Sequence, residues 1–387
     1  MKKLTEKIKA QLNKKNMPYF IAAIAVAVVA MLVFAFLNSD FHNAYSDGEN
    51  SSESLFSSIV TSEGNGVTFT GNDIITVKSF SGRMFVLTEK LLAAVDSDGE
   101  IRYTKVHNYK NPAIEISDNF GILFNRNSHE YMIFTTKGII SDGSSDEEND
   151  IIAAAINNEG TFALSTKSDT SSSRVYLHNK KGEIKYAWAC GEEYGVTLQV
   201  YANSKKIAVG AIGAKGGEIL SKSYLLDIYS DTAQCDFSLE GDGITDILFT
   251  GKNIISVFPD EIVLYDIKAA KGAPQKSKFT TTAHSIFTDM SGNTAVISDS
   301  IGGFDKTTLT VYSDKNEVKF TCELDGKPGA VVLSGKTAYV LCDNNVYKVS
   351  KGKIKDSAVL NFVPDGLVTS EGKIFAYSKG FLKEVNY

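Results

Sequence analysis

The feature that most restricts what this chain can fold into is a repeated unit. The unit is an apolar strand, a tight turn, a second strand ending in a turn rich in Asp, Lys and Gly, and a third strand closing on an aromatic residue. It is clearest in residues 83–103 (RMFVLTEKLLAAVDSDGEIRY), 174–186 (RVYLHNKKGEIKY) and 308–320 (TLTVYSDKNEVKF). In each, Tyr103, Tyr186 or Phe320 falls four residues after the turn position Gly99, Gly182 or Asn316. Weaker copies occupy 130–140, 223–237, 261–272 and 337–354. Units recurring about every 40 residues suit the four-stranded blade of a β-propeller. A β-sandwich also has short strands and regular turns, but it does not repeat one signature seven times.

Between the repeats, apolar or alternating runs of a few residues alternate with Gly, Asp, Asn and Lys turns, and no helical periodicity is sustained. That pattern predicts an all-β domain. After the seventh copy, 367–387 supplies three more strands, with a turn at Gly372, and GVTFTGN (66–72) is one unassigned strand before the first blade. Pairing these two ends closes the ring and removes sheet edges that would otherwise aggregate. The expected fold is therefore an all-β propeller over 66–387, with eight four-stranded blades and closure by an N-terminal strand.

The turn followed by an aromatic, strongest at GEIRY and GEIKY, resembles the pyrroloquinoline-quinone-type (PQQ-like) propeller repeat, whose ideal ends in Gly-Lys-x-x-Trp. With the N-terminal segment described next, the chain is similar to a family of single-span bacterial envelope proteins bearing such propellers. That resemblance implies the propeller fold and no activity.

Residues 20–37 (FIAAIAVAVVAMLVFAFL) contain no charge, Gly or Pro. As a helix this stretch spans roughly 27 Å, enough to cross a bilayer. Six lysines precede it in residues 1–16 against the single Glu6, and Asn38, Ser39 and Asp40 follow it. The positive-inside rule then puts the N-terminus in the cytoplasm and the remaining chain outside. No small-residue cleavage site follows Leu37, and the first cysteine is Cys190, so the helix is expected to stay as an anchor. The resulting division is a cytoplasmic basic tail (1–16), a transmembrane helix (17–37), a flexible spacer (38–65) and an extracytoplasmic propeller (66–387). Leu4, Ile8 and Leu12 give the tail a basic amphipathic face suited to anionic lipid. Leu55, Phe56, Ile59 and Val60 in the spacer suit a short docking helix.

Beyond residue 16 the chain carries 34 basic and 45 acidic residues, a net of −11, which argues against a nucleic-acid partner. The expected partners are the membrane and an envelope protein or cell-wall polymer. No residue set is assigned as catalytic, cofactor-binding or metal-binding, and the expected role is a non-enzymatic scaffold or recognition module. The alternative is a quinone- or metal-dependent oxidoreductase, because the PQQ-like repeat family contains such enzymes. The resemblance would then imply Trp-rich repeats and an adjacent cysteine pair, whereas this chain has only Trp188 and widely spaced Cys190, Cys235, Cys322 and Cys342.

The acidic run Asp142, Asp146, Glu147, Glu148 and Asp150 has the oxygen density a calcium ion prefers, yet it lacks the spacing of an EF-hand and reads as an inter-blade loop. His42, His107, His129, His178 and His284 are scattered and read as surface or blade-edge residues. Gly210, Gly213, Gly216 and Gly217 read as a hairpin of the fourth blade rather than a phosphate loop. Trp188 and the repeated aromatics read as packing between blades rather than a sugar platform. Cys190 and Cys235 lie one repeat apart, so both are expected on outer strands of neighbouring blades, with all four thiols unbridged.

Overall fold

The computed structural model describes residues 60–387 except 64–65, 234, 241–242, 251–252, 268–273, 290 and 302–304. The basic tail, the transmembrane segment and the spacer up to residue 59 lie outside the described residues, as does His42. Among the described residues no helix is long and apolar enough to cross a membrane.

Residues 60–387 form eight antiparallel sheets, seven of them built from four consecutive strands in simple up-and-down order. Blade I covers 74–106, blade II 112–144, blade III 151–190, blade IV 194–240, blade V 246–278, blade VI 283–325 and blade VII 328–359. Blade VIII combines Gly366–Ser370, Lys373–Ser378 and Phe381–Glu384 with Gly66–Phe69 from the other end of the domain. Val67 pairs with Leu382 and Thr68 with Phe381, so the ring closes through the strand expected from the sequence. At the seam with blade I, Ser79 Oγ donates to the Thr369 carbonyl at 2.6 Å.

One boundary differs. Val60–Glu63, assigned by sequence to the spacer, adds a fifth strand to blade VIII by pairing with Gly66–Phe69. Its Ser- and Glu-rich surroundings hide the strand, but Val60 is buried and Ser62 Oγ donates to the Gly99 carbonyl of blade I at 2.8 Å. Val60 thus belongs to a strand, not to a docking helix.

Position within a blade explains the hydrophobic pattern. Middle strands such as Arg83–Thr88 and Leu91–Asp96 are buried on both faces by neighbouring blades, so they are nearly continuous apolar runs. Outer strands such as Ile184–Cys190 alternate, with one side chain toward the next blade and the next toward solvent.

The repeated signature is a hairpin with a bulge. In blade I the Asp98 and Glu100 amides donate to Asp96 Oδ1 at 3.1 and 3.0 Å, and Gly99 takes φ +81°, which a glycine adopts at little cost. Asn179 does the same for Lys181 and Glu183 in blade III, and the Ser313 hydroxyl for Lys315 and Glu317 in blade VI. The register then slips by one residue, opposite Ala94/Val95, Leu177/His178 and Val311/Tyr312. That bulge re-aims the following aromatic toward the next blade. Tyr103 donates its hydroxyl to the Thr135 carbonyl of blade II (2.8 Å), and Tyr186 to the Ser230 carbonyl of blade IV (3.1 Å). Phe320 packs into the apolar cluster between blades VI and VII. The repeated aromatics are inter-blade wedges, as the sequence predicts.

Candidate functional site: the blade V–VI cleft and the inner-strand charges

Among the described residues the inner strands of adjacent blades approach closely at every seam except the one between blades V and VI. Two local features hold that seam open. The outer strand of blade V, Gln275–Lys278, has four residues, against eight in Val318–Asp325 of blade VI. It also carries no wedge. The positions facing blade VI, opposite Ile262 and Leu264, are Ser277 and Gln275, and Ser277 Oγ reaches the Asn316 carbonyl of blade VI at 3.2 Å. The nearest aromatic, Phe279, comes after the strand has ended.

A cleft of about 180 Å³ opens here. Buried Val296 and Tyr312, with half-buried Phe279, form its apolar part. Half-buried Thr308 and Thr310 line it, and no hydrogen bond from either hydroxyl is seen among the described residues. Exposed Asp299 and Glu323 complete it. Asp299 Oδ2 is held by His284 Nε2 at 2.9 Å, and Glu323 Oε1 accepts from Ser300 Oγ at 3.1 Å. The reason for this polar face is the strand's alternation. Leu309 and Val311 point toward blade VII and join its packing, while Thr308, Thr310 and Tyr312 face blade V.

A second group of charges sits on the inner strands. Lys78 of blade I and Glu115 of blade II pair at 2.5 Å. Asp246, opening the inner strand of blade V, accepts from the Ile247 amide at 2.8 Å and from Thr197 Oγ1 of blade IV at 3.4 Å. Water reaches its side chain, but protein surrounds it. The loss of bulk solvation, with the repulsion of Glu115 second, pushes its carboxyl up to about 6, and Lys78 offsets part of the rise. This is a carboxyl that titrates near neutrality, and among the described residues it has no imidazole or thiol in hydrogen-bonding range.

The residues singled out by sequence do not converge on either place. Asp142 lies in the outer strand of blade II (Gly138–Ser144), Asp146–Glu148 form a single 3₁₀ turn, and Asp150 pairs with Lys167 at 2.8 Å. Asp146–Asp150 make the connection from blade II to blade III, as the loop reading expects, whereas Asp142 belongs to the strand before it. Among the described residues no group of three or more His, Cys, Asp or Glu side chains is placed to hold a metal ion. Gly210 and Gly213 lie in Lys206–Lys215, and Gly216 and Gly217 turn the chain into Glu218–Asp227, the expected hairpin of blade IV. Trp188 packs in the blade III–IV seam with its ring 4.9 Å from that of Tyr224. Cys190 and Cys235 end and begin the outer strands of blades III and IV, and Cys190, Cys322 and Cys342 are free thiols.

Two histidines depart from expectation. His107 and His178, read as surface or blade-edge residues, are 2% and 3% exposed. His107 bonds the Thr88 carbonyl at 3.2 Å, and His178 stacks on Phe162 at 4.7 Å. His178 ends a middle strand covered by neighbouring blades, whereas His107 follows an outer strand and is held against the turn at Thr88 and Lys90. The cleft residues carried one usable signal. In TTLTVY a threonine alternates with apolar residues in a strand whose neighbours are apolar on both faces, which marks one face as incompletely covered.

These features define an eight-bladed β-propeller with an opening at the blade V–VI seam. The chain belongs to the family of unknown function DUF5711, whose model matches residues 56–358. No curated protein matches it significantly. Among solved structures, BamB from Moraxella catarrhalis is similar over 85% of this chain and 100% of its own, at 11% identity and a TM-score of 0.55. The C-terminal WD40 domain of Sif2 matches over 85% and 99%, at 13% identity and a TM-score of 0.59. Apo AztD from Citrobacter koseri matches over 80% and 96%, at 9% identity and a TM-score of 0.54. At these identities the likeness concerns the fold alone.

Proposed function

We propose that this chain is a non-enzymatic recognition module, tethered to the membrane by residues 17–37, that presents its propeller to an envelope partner on the outer side. The observation that carries the reading is the open blade V–VI seam. Beyond its apolar packing of Ile255, Val257, Ile262, Leu264, Val296 and Tyr312, this seam leaves hydroxyls and carboxylates facing solvent, a surface suited to contact rather than to bond-breaking. The side chains that the quinone-type resemblance would require do not fit that cofactor. Trp188 is wedged into a seam, and the cysteines lie on separate blades.

Crosslinking in intact cells followed by capture of the full chain tests the recognition reading. An envelope protein recovered reproducibly supports it. Turnover of a small substrate by the purified protein, with no partner captured, overturns it. For topology, protease added to protoplasts should digest the propeller and spare the basic tail, whereas a fully protected propeller reverses the orientation.

A further inference from the structure

We propose that the blade V–VI cleft binds a single cationic side chain, the ammonium of a lysine or the guanidinium of an arginine, from a partner protein. The proposal rests on the recognition reading and names the chemistry that the partner brings.

Size comes first. Pockets for drug-sized ligands run to about 300–1,000 Å³, so a cleft of about 180 Å³ suits one side chain. Charge comes second. Among the described residues Asp299 and Glu323 are both in the lining, and no Lys or Arg is. Lys306, on the same strand face as Thr308, is instead directed to Asp325, 4.0 Å away. Each carboxylate is positioned by one side-chain donor, His284 or Ser300, and among the described residues neither is paired with a lysine or arginine. An anion would meet uncompensated repulsion there. A cation would meet the Glu323 carboxylate, which lies opposite Thr308 on the face toward blade V, with Thr308 and Thr310 free to accept further N–H bonds.

The apolar part supplies the rest. Lysine and arginine carry long methylene stems that pack against apolar surface while the charged head stays among polar groups. Val296, Phe279 and Tyr312 offer that surface, with the two rings 6.1 Å apart, and an aromatic face attracts a cation within about 6 Å. Blade V ends its outer strand early and places Ser277 where blades I, III and VI place Tyr103, Tyr186 and Phe320, so the site is made by local sequence rather than by the repeat.

The test uses the purified full chain with threonine methyl groups labelled for NMR. The probes are the N-acetyl, N-methylamide derivatives of lysine, arginine and norleucine, and the disaccharide of N-acetylglucosamine. The Thr308 and Thr310 methyl signals should shift saturably with the lysine or arginine probe, at a Kd on the order of 1 mM. Glu323→Gln should weaken binding about fivefold or more and Asp299→Asn less, and norleucine should bind weaker than lysine by at least about fivefold. Glu317→Gln, outside the cleft, should change nothing, which separates the site from general attraction to an acidic protein. Three results overturn the proposal: no shift with either cation, norleucine binding as well as lysine, or binding of the disaccharide without the cations. If Glu323→Gln still captures the envelope partner while no cationic probe binds, recognition stands and the cleft assignment falls. If the cations bind and no partner is captured, the cleft assignment stands and the recognition reading falls.

Discussion

Between blades III and IV, Val175, Leu177 and Cys190 meet Leu198, Val209 and Tyr224, and Tyr186 and Trp188 cover the rim, so the seam is filled from the inner strand outward. Between blades V and VI the apolar packing runs through Ile255, Val257, Ile262, Leu264, Val296 and Tyr312 and then stops at Phe279. The two seams use the same architecture. Their difference lies in the outer strand. Ile184–Cys190 is seven residues long and brings two aromatics, whereas Gln275–Lys278 is four residues long and brings none. A propeller seam is thus closed by the last strand of each blade, and shortening that strand exposes the face of the next blade without disturbing its ladder.

The most severe way to break this comparison is to open a seam that the ring depends on. Truncation after Ser378 removes Phe381–Glu384, the strand that joins Lys373–Ser378 to Gly66–Phe69, together with buried Leu382 and Val385. Both its neighbours then become free edges. Since a domain is held by only about 5–15 kcal/mol, the truncated chain should lose cooperative melting and aggregate on size-exclusion chromatography. A cooperative transition within a few degrees of the intact protein would mean that the ring does not need this strand.

A milder change separates the two seams directly. Leu177 is 1% exposed in the filled seam, and Leu177→Ala should cost about 2–5 kcal/mol through lost transfer energy and a residual cavity. Thr310→Ala removes a half-buried hydroxyl that has no partner among the described residues, and should cost less than about 1 kcal/mol. Urea denaturation of the two variants should show this order. Equal losses would mean that the cleft is as tightly packed as the III–IV seam.

What the sequence reveals follows from how local each signal is. The wedges at Tyr103, Tyr186 and Phe320 are legible because the turn, the bulge and the aromatic lie within a few residues of one another. The closing strand at 66–69 is legible because a strand count leaves it unpaired. The fifth strand at Val60–Glu63 is not, since its partner hydrogen bonds leave no mark on a Ser-rich composition. Lys78 and Glu115 pair between consecutive blades, while Asp246 of blade V feels their charges from across the ring, and no spacing announces the three together. The cleft depends on Ser277 standing in the wedge position, which becomes visible only once the register opposite Ile262 is known. His178 was misplaced because the pattern of its strand does not tell which of its faces a neighbouring blade covers.

At neutral pH the natural chain loses nothing at His178, and the last contrast, between a dry site and a wet one, emerges only as pH changes. His178 is buried against Phe162, its Nδ1 has no hydrogen-bond partner among the described residues, and burial lowers its imidazole to about 4. The unfolded chain therefore takes up this proton near 6.5 while the folded one resists it, so stability is full above 6.5 and falls as pH drops toward 4. The loss amounts to about 3 kcal/mol over that window. Asp246 has the opposite sign. Its folded carboxyl is raised to about 6 from an ordinary value of 3.8, so its contribution is full below 3.8 and is lost as pH rises through 6. Because water reaches Asp246, its effect is the weaker of the two. His178→Phe should flatten the fall in melting temperature between pH 6.5 and 4, and leave no ring nitrogen stranded. Asp246→Asn should raise the melting temperature at pH 7 and do little at pH 4. If His178→Phe loses stability on acidification as steeply as the natural chain, the proton is taken up elsewhere. If Asp246→Asn is no more stable at pH 7, water solvates that carboxylate well enough for it to stay ionised without penalty.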